Sequence, residues 1–352
     1  MPATLDRFSR PLTDLRVSVT DRCNLRCPYC MPREVFGRGF SFMARDELLT
    51  FEEIARVCRV LARLGVSKIR LTGGEPLVRR ELEQLIGMLA LLDGIDDIAL
   101  TTNGTLLASK ARALKQAGLD RVTVSLDALD DGVVRAMSDS RASLASVLAG
   151  IEAAGEAGLA PIKINTVVRR GVNDHCVLSI AEHFRHRPET LRFIEYMDVG
   201  STNGWQPHEV VPASELIAAI AARWPLEALA PARGGEVATR YRYRDGAGEI
   251  GFIHSVSRPF CGECTRARVS ADGKLFTCLF ATRGTDVRAM LRGGLSDAAL
   301  EAQLRGTWQA RTDRYSAERF AADRRSEAPA DARTGASART TARKIEMSYI
   351  GG

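Results

Sequence analysis

The chain has no apolar run approaching the roughly 18 to 20 residues needed to cross a bilayer. Its opening stretch, MPATLDRFSRPLTDLR, also has no apolar core of a secretory signal. A cytoplasmic protein with no membrane partner is therefore expected. No run of five or more basic residues occurs and the arginines are scattered among Asp and Glu, so for the formal charge of +6 a small polyanion fits at least as well as nucleic acid, and no nucleic-acid partner is expected. There is no Gly-x4-Gly-Lys-Ser/Thr, which excludes a Walker-type loop and leaves side chains to hold any nucleotide phosphate. The eight cysteines are not spread as pairs. Six of them fall in two tight triplets, a pattern that excludes a disulfide framework and points to metal or cluster ligation in a reducing compartment. Cys58, within the amphipathic ARVCRVLARL, and Cys176 are left over and read as buried structural thiols.

What the chain does have is concentrated around those triplets. The first is Cys23-x3-Cys27-x2-Cys30, with Tyr29 before the last cysteine. Three thiolates can hold three irons of a four-iron cubane. The fourth iron then stays open to the amino and carboxylate groups of S-adenosylmethionine, as a radical initiator requires. A structural zinc site would want a fourth ligand nearby, and none is there. In this pattern the chain resembles the radical S-adenosylmethionine enzymes. The second triplet is Cys261-x2-Cys264-x13-Cys278. It reads either as a zinc knuckle completed by His254 or as a second cubane with an open iron. Between its ligands sit Arg266 and Arg268, which alternation in a strand puts on one face, suited to forking onto phosphate oxygens.

A chain of 352 residues with 45% hydrophobic content can bury one large core. Strand-like segments at 15–20, 67–73, 97–102, 121–127, 162–168 and 191–197 alternate with helix-like ones at 51–64, 79–91, 105–117, 143–157 and 174–186. Right-handed crossovers lay such strands parallel, so an α/β fold is expected: an incomplete (β/α)6 TIM-type barrel with a C-terminal extension carrying the second triplet. A doubly wound sheet is the alternative. The expected division is a partial barrel at 1–210, a C-terminal region with the second cluster and substrate clamp at 211–320, a flexible linker at 321–341 and a tail at 342–352. The linker is rich in Ala, Arg, Asp, Ser and Thr.

The chemically suggestive residues cluster at strand ends. The cysteine loop follows strand one, Gly73-Gly74-Glu75-Pro76 follows strand two, Thr101 to Gly104 end strand three, and Ser125 to Asp127 end strand four. Lys163 and Asn165 lie in strand five and Met197 ends strand six. C-terminal strand ends of a parallel barrel form one mouth, so these residues are expected to converge there. Singly, each has an ordinary reading: a turn for Gly73-Gly74, a cap for Ser125 or Asp127, core for Met197. Without a Cβ, Gly74 would let backbone approach a bound amino acid, with Glu75 or carbonyls accepting from its ammonium. Arg16, Arg70, Lys163, Arg266 and Arg268 form the expected phosphate clamp at that mouth. The terminal RKIEMSYIGG suggests a docked strand delivering Gly351 and Gly352 into a cavity, against the default of fraying chain.

With both triplets, the Thr-Arg-Ala-Arg insert, Asp198-Val199-Gly200 and the Gly-Gly end, the chain resembles the GTP 3′,8-cyclases, the MoaA-type radical S-adenosylmethionine enzymes, from about residue 10 to 320 and again at 343 to 352. Its linker is longer than that family leads one to expect. The resemblance implies two 4Fe-4S clusters, one on Cys23, Cys27 and Cys30 and one on Cys261, Cys264 and Cys278, and cofactor contacts from Tyr29, Gly74, Ser125 and Met197. It implies GTP contacts from Arg16, Arg70, Thr101, Lys163, Arg266 and Arg268, with Gly351 and Gly352 contributing to catalysis from the tail. The implied chemistry is reductive cleavage of S-adenosylmethionine to a 5′-deoxyadenosyl radical, removal of the ribose 3′ hydrogen of GTP and closure onto C8. The product, (8S)-3′,8-cyclo-7,8-dihydroguanosine 5′-triphosphate, opens molybdenum cofactor biosynthesis. Implied partners are a reduced flavodoxin or ferredoxin, a downstream cyclic pyranopterin synthase and a second copy in a homodimer. Two competing readings are a radical peptide-modifying enzyme, which has no need of Arg266 and Arg268, and a cysteine-rich nucleic-acid-binding regulator, which does not account for six βα units.

Overall fold

Alternation of apolar and polar residues builds six parallel strands: β1 (Asp14–Ser18), β2 (Lys68–Thr72), β3 (Asp97–Thr102), β4 (Arg121–Ser125), β5 (Lys163–Val168) and β6 (Thr190–Glu195), hydrogen-bonded in that order. The computed structural model describes residues 3–140, 142–232, 234–319 and 344–351, so the 321–341 linker and Gly352 lie outside the described residues. Crossover helices at Phe51–Arg63, Leu82–Ala90, Ala111–Gln116, Leu144–Glu156 and Val177–Phe184 fall where the periodicity put them. A further helix, Asp131–Ser138, had no expectation attached to it. The first crossover helix shows the local logic. Thr50 caps it, accepting from the Glu53 amide while the Glu53 side chain accepts from the Thr50 amide, and its face of Ile54, Val57, Cys58 and Leu61 is fully buried. Each such side chain contributes roughly 1.5 to 3 kcal/mol. Cys58 is thus a core residue, as its flanks implied.

The remaining chain continues the same sheet. From the C-terminal region, β9 (Glu249–Ile253) adds parallel to β6 and β10 (Arg266–Val269) adds parallel to β1. Antiparallel edges follow: β8 (Thr239–Tyr243) and β7 (Leu226–Leu229) beyond β9, and β11 (Lys274–Phe276) and β12 (Thr285–Asp286) beyond β10. The expected boundary near residue 210 therefore separates stretches of sequence but not of sheet, because residues 249–253 and 266–269 supply the flanking strands of the barrel.

Side chains divide by strand face. Leu15, Val17, Ile69, Leu71, Ile98, Leu100, Val122, Val124 and Ile164 are buried in the main core cluster with the helices. The alternate residues Arg16, Arg70, Thr101, Thr123, Asn165, Arg192 and Arg268 line a single cavity of about 760 Å3. One strand face can enclose one cavity across all eight parallel strands only if the sheet curls, so the partial barrel has a hollow interior into which these side chains project.

Glu195, the last residue of β6, ties this frame to the region after it. It is 1% exposed, and it accepts from the amides of Ala213, Val256 and Ser257 at 2.7–2.8 Å and from the Ser257 hydroxyl at 2.5 Å. Glu195→Ala would leave buried donors without acceptors, at about 1–3 kcal/mol each before relaxation. A lowered thermal unfolding midpoint is the expected outcome, and an unchanged one would show that these amides find other partners.

Candidate active site

The upper rim of the barrel, at the C-terminal strand ends, carries the first triplet. Its loop is seated on the turn after β2. Gly74 donates its amide to Thr20 carbonyl at 2.9 Å and Glu75 donates to Arg22 carbonyl at 2.8 Å, while a Cβ on Gly74 would stand 2.3 Å from that same Arg22 oxygen. The glycine is thus required by the cysteine loop itself, and it lines the cavity beside that loop. Glu75 is buried and accepts from the Leu77 amide, the Thr102 hydroxyl and the Asn103 amide. Burial nonetheless raises its carboxyl to about 7. Those three donors occupy the carboxylate, so carbonyls of the loop are the freer acceptors for an ammonium. The Asn103 side chain in turn donates through Nδ2 to Asn24 Oδ1 at 2.9 Å, joining the β3 loop to the triplet.

Cys23, Cys27 and Cys30 all line the cavity, together with Tyr29, Ser125 and Met197. Ser125 ends β4 as expected, whereas Met197 stands two residues beyond the end of β6. Tyr29 donates its hydroxyl to Asp127 at 2.9 Å. Burial pushes Cys23 up to about 11, and burial and then the neighbouring Cys23 push Cys30 up to about 12. Thiolates gathered at this depth call for positive charge among them, which iron supplies. The Leu25 amide already points its hydrogen at the Cys23 sulfur, at 3.4 Å. The trio therefore fits a cubane with an open iron facing the cavity.

The second triplet lies at the opposite rim. Cys264 stands two residues before the start of β10, whose first residue, Arg266, is level with Asp14 at the start of β1, and β11 returns antiparallel to bring Cys278 back to that end. Cys261, Cys264 and Cys278 line the cavity, whereas His254, the fourth ligand of the zinc reading, does not. Among the described residues no three His, Cys, Asp or Glu side chains converge as a single ion requires. Donors are aimed at these sulfurs as well: Arg266 reaches Cys264 at 3.2 Å and the Phe280 amide reaches Cys278 at 3.4 Å. Although burial raises the Cys264 thiol, the Arg266 and Arg311 guanidiniums bring it down to about 6. This second trio also suits a cluster open toward the cavity.

Between the two ends lies the cationic lining, and it corrects the expected position of the clamp. Lys163 is the first residue of β5, Arg266 the first of β10, and Arg16 and Arg70 are mid-strand. They run down the interior toward the N-terminal strand ends instead of ringing the mouth. Lys68, Arg121 and Arg192 join them. These three were missed, although alternation from Arg70 places Lys68 on the same face. Arg70 donates to the Thr101 hydroxyl at 3.0 Å and to Thr123 at 3.1 Å. Burial and then the crowding of Arg192, Arg121, Arg70 and Lys68 lower Lys163 to about 7. Burial, with Arg266 next, lowers Arg16 to about 10, and burial followed by Arg16 and Arg266 depresses Arg268 further. Cations that depress one another in this way create a strong demand for an anion.

The tail enters from the upper rim as one helical turn, Met347–Ile350, and not as the strand the sequence suggested. Glu346 halts the extended run by accepting from the Ser201 amide and the Thr202 hydroxyl, both at 2.9 Å. The turn then buries Ile350 while the Tyr349 hydroxyl donates to Asp272 at 2.5 Å. Upstream, Asp198 accepts from Lys344 at 2.6 Å and from the Tyr315 hydroxyl at 2.7 Å, and it pairs with Arg319. Gly351 is buried, and its carbonyl accepts from Arg268. The docking of the tail thus follows expectation, in helical form.

Comparison with known proteins bears on this geometry. Curated relatives named GTP 3′,8-cyclase are 53% identical in Acidothermus cellulolyticus, covering 99% of this chain and 98% of the relative. A Staphylococcus aureus relative of the same name is 46% identical over 99% and 98%. The chain belongs to the GTP 3′,8-cyclase family. Its two halves match the models of the Radical SAM superfamily at residues 17–184 and of Molybdenum Cofactor Synthesis C at 189–317. As a member of the GTP 3′,8-cyclases it is a radical S-adenosylmethionine enzyme with a 4Fe-4S cluster. A third relative with that name, from Xanthomonas axonopodis pv. citri, is 53% identical over 91% of this chain and 95% of its own length. A crystal structure of Streptococcus suis SuiB bound to S-adenosylmethionine shares the fold, with a TM-score of 0.59 and 15% identity over 84% of this chain and 68% of that one. No helix among the described residues is long and apolar enough to cross a membrane.

Proposed function

We propose that this chain converts GTP to 3′,8-cyclo-7,8-dihydro-GTP with S-adenosylmethionine and a reductant, the first step of molybdenum cofactor biosynthesis. The observation that carries the reading is the row of basic side chains, Arg16, Arg70, Lys163, Arg192 and Arg268, lining one cavity between two cysteine trios. When bound, the upper cluster and S-adenosylmethionine supply a carbon radical able to take a ribose hydrogen. Tyr29, Gly74, Ser125 and Met197 hold the cofactor above the cavity. Arg16, Arg70, Lys163, Arg266 and Arg268 receive the triphosphate, and Thr101, hydrogen-bonded to Arg70, orients that guanidinium. Cys261, Cys264 and Cys278 would hold a second cluster, which would supply a site for the guanine. Gly351 and Gly352 contribute to the reaction from the tail. Catalysis on this view is mainly positioning and exclusion of water. The proposal extends to a cytoplasmic homodimer, supplied with electrons by a reduced flavodoxin or ferredoxin and followed in its pathway by a cyclic pyranopterin synthase.

An anaerobic assay of the reconstituted protein with S-adenosylmethionine, a low-potential reductant and GTP, ATP or no nucleotide tests this. Cyclised nucleotide and 5′-deoxyadenosine formed together only with GTP are the expected result. Equal slow 5′-deoxyadenosine in all three would overturn the substrate assignment. Arg266→Ala is expected to weaken GTP binding by about 1.5 to 3 kcal/mol, the worth of one charged hydrogen bond. Equilibrium binding with unreactive S-adenosylhomocysteine present reads this directly, and unchanged affinity would remove Arg266 from the clamp.

A further inference from the structure

Beneath the second triplet, Asp6, Arg10 and Arg311 form a charged group that no step above uses. Their side chains are 2% exposed or less. One Asp6 oxygen accepts from Arg10 Nε at 2.6 Å and lies 3.4 Å from Arg311 Nη1, and the other accepts from the amides of Phe8 and Arg10 at 2.9 Å. Both guanidiniums then reach the ligand loop. Arg10 Nη1 donates to the Cys261 carbonyl and Arg311 Nη1 to the Cys264 carbonyl, each at 2.7 Å. The Arg311 guanidinium also stacks on Trp308, 4.5 Å from its ring centre, and the Trp308 indole donates to the Arg10 carbonyl at 3.2 Å. Asp313, 3.7 Å from Arg311 Nε, is one-third exposed and takes the Thr277 hydroxyl at 2.5 Å, beside the third ligand Cys278.

Burying three ionised groups is costly, and an apolar trio of the same volume would hold a loop as well for stability alone. This trio instead spends two long-range hydrogen bonds on the carbonyls of two cluster ligands and leaves two cations sharing one fully buried carboxylate. We propose that Asp6, Arg10 and Arg311 are positioning residues that fix the Cys261–Cys264 loop and set the reduction potential of the cluster it holds. The inference rests on the second-cluster reading above. Reduction adds one electron to the cluster and makes or breaks no bond, so buried positive charge nearby favours the reduced form and buried negative charge opposes it.

The test is a redox titration of the full-length reconstituted protein, followed by electron paramagnetic resonance, with iron and sulfide counted in every sample. Arg311→Gln is expected to make the second cluster about tenfold harder to reduce, about 59 mV for one electron. Asp6→Asn is expected to shift it in the opposite direction, Arg311→Lys to stay near wild type, and the Cys23 cluster to stay put throughout. Loosening of the loop alone would move Arg311→Gln and Asp6→Asn the same way, and that result, or no shift in either, overturns the proposal. Should Arg311→Gln fail to fold, Asp6→Asn and Arg311→Lys still decide it: easier reduction in the first with a wild-type potential in the second is expected, and any other pair of results overturns the proposal. Wild-type iron sufficient for one cluster only would overturn the second-cluster reading, and the inference with it.

Discussion

Replacing Cys23 with alanine will abolish reductive cleavage of S-adenosylmethionine, with 5′-deoxyadenosine falling by at least about a thousandfold, roughly 4 kcal/mol in barrier terms. Cys23, Cys27 and Cys30 line one cavity and serve one opening, and the loop bearing them is fastened on several sides. It is held by the Gly74 and Glu75 amides, by the Asn103 side chain and through the Tyr29–Asp127 hydrogen bond. No other cysteine is at hand as a substitute, since Cys58 and Cys176 are buried in the helical layer. The loss should be local. On the proposed two-cluster reading, iron held by Cys261, Cys264 and Cys278 at the far rim should remain, so iron content is expected to fall by about half while the protein stays folded. Substantial 5′-deoxyadenosine from Cys23→Ala would mean that the upper triplet does not ligate the cofactor-bearing cluster.

The second large effect is expected at Gly351, where two constraints meet. Its φ of +74° lies in the left-handed region that favours glycine, and a Cβ there would stand 2.2 Å from Thr72 Cγ2. Thr72 ends β2, inside a strand paired on both sides, and has little room to yield. Gly351→Val should therefore lift the end of the tail and free Arg268, whose guanidinium now donates to the Gly351 carbonyl. Iron content and S-adenosylmethionine binding should be unchanged, while cyclised nucleotide falls at least about tenfold, roughly 1.4 kcal/mol. The variant would then still make 5′-deoxyadenosine without matching product. Product formed at the wild-type rate would reduce the tail to a docked terminus with no part in the reaction.

Much of this was legible in the sequence because the chemistry is written in local patterns. The cysteine spacing, the Gly-Gly-Glu-Pro turn and the period of the first six strands are short-range signals, and the structure places them as read. The residues of the expected clamp all line the cavity, but they lie deeper in it than the mouth where the sequence set them. A strand's period tells which face a residue occupies, whereas its height in a barrel depends on where each strand begins, and Lys163 and Arg266 turn out to open theirs. Arg192 and Arg121 went unnoticed because a single basic residue in a strand looks like surface until the sheet is known to curl. The pairing of β9 with β6 and of β10 with β1 is non-local and left no mark in the pattern. The tail misled in form only: Met347, Tyr349 and Ile350 fit a strand or a helical turn equally well, and the anchors of Glu346 on Ser201 and Thr202 decide between them.

Asp198 gathers Arg319 and Lys344, the residues that bracket positions 320–343. Both ends of that stretch are thereby tethered to one carboxylate, and the tail's placement is set after the second tether instead of by the length of chain before it. One carboxylate thus registers the described tail against the segment that ends at Arg319, so a change at Asp198 would unseat both together and act, from a distance, on the end of the chain that meets Arg268.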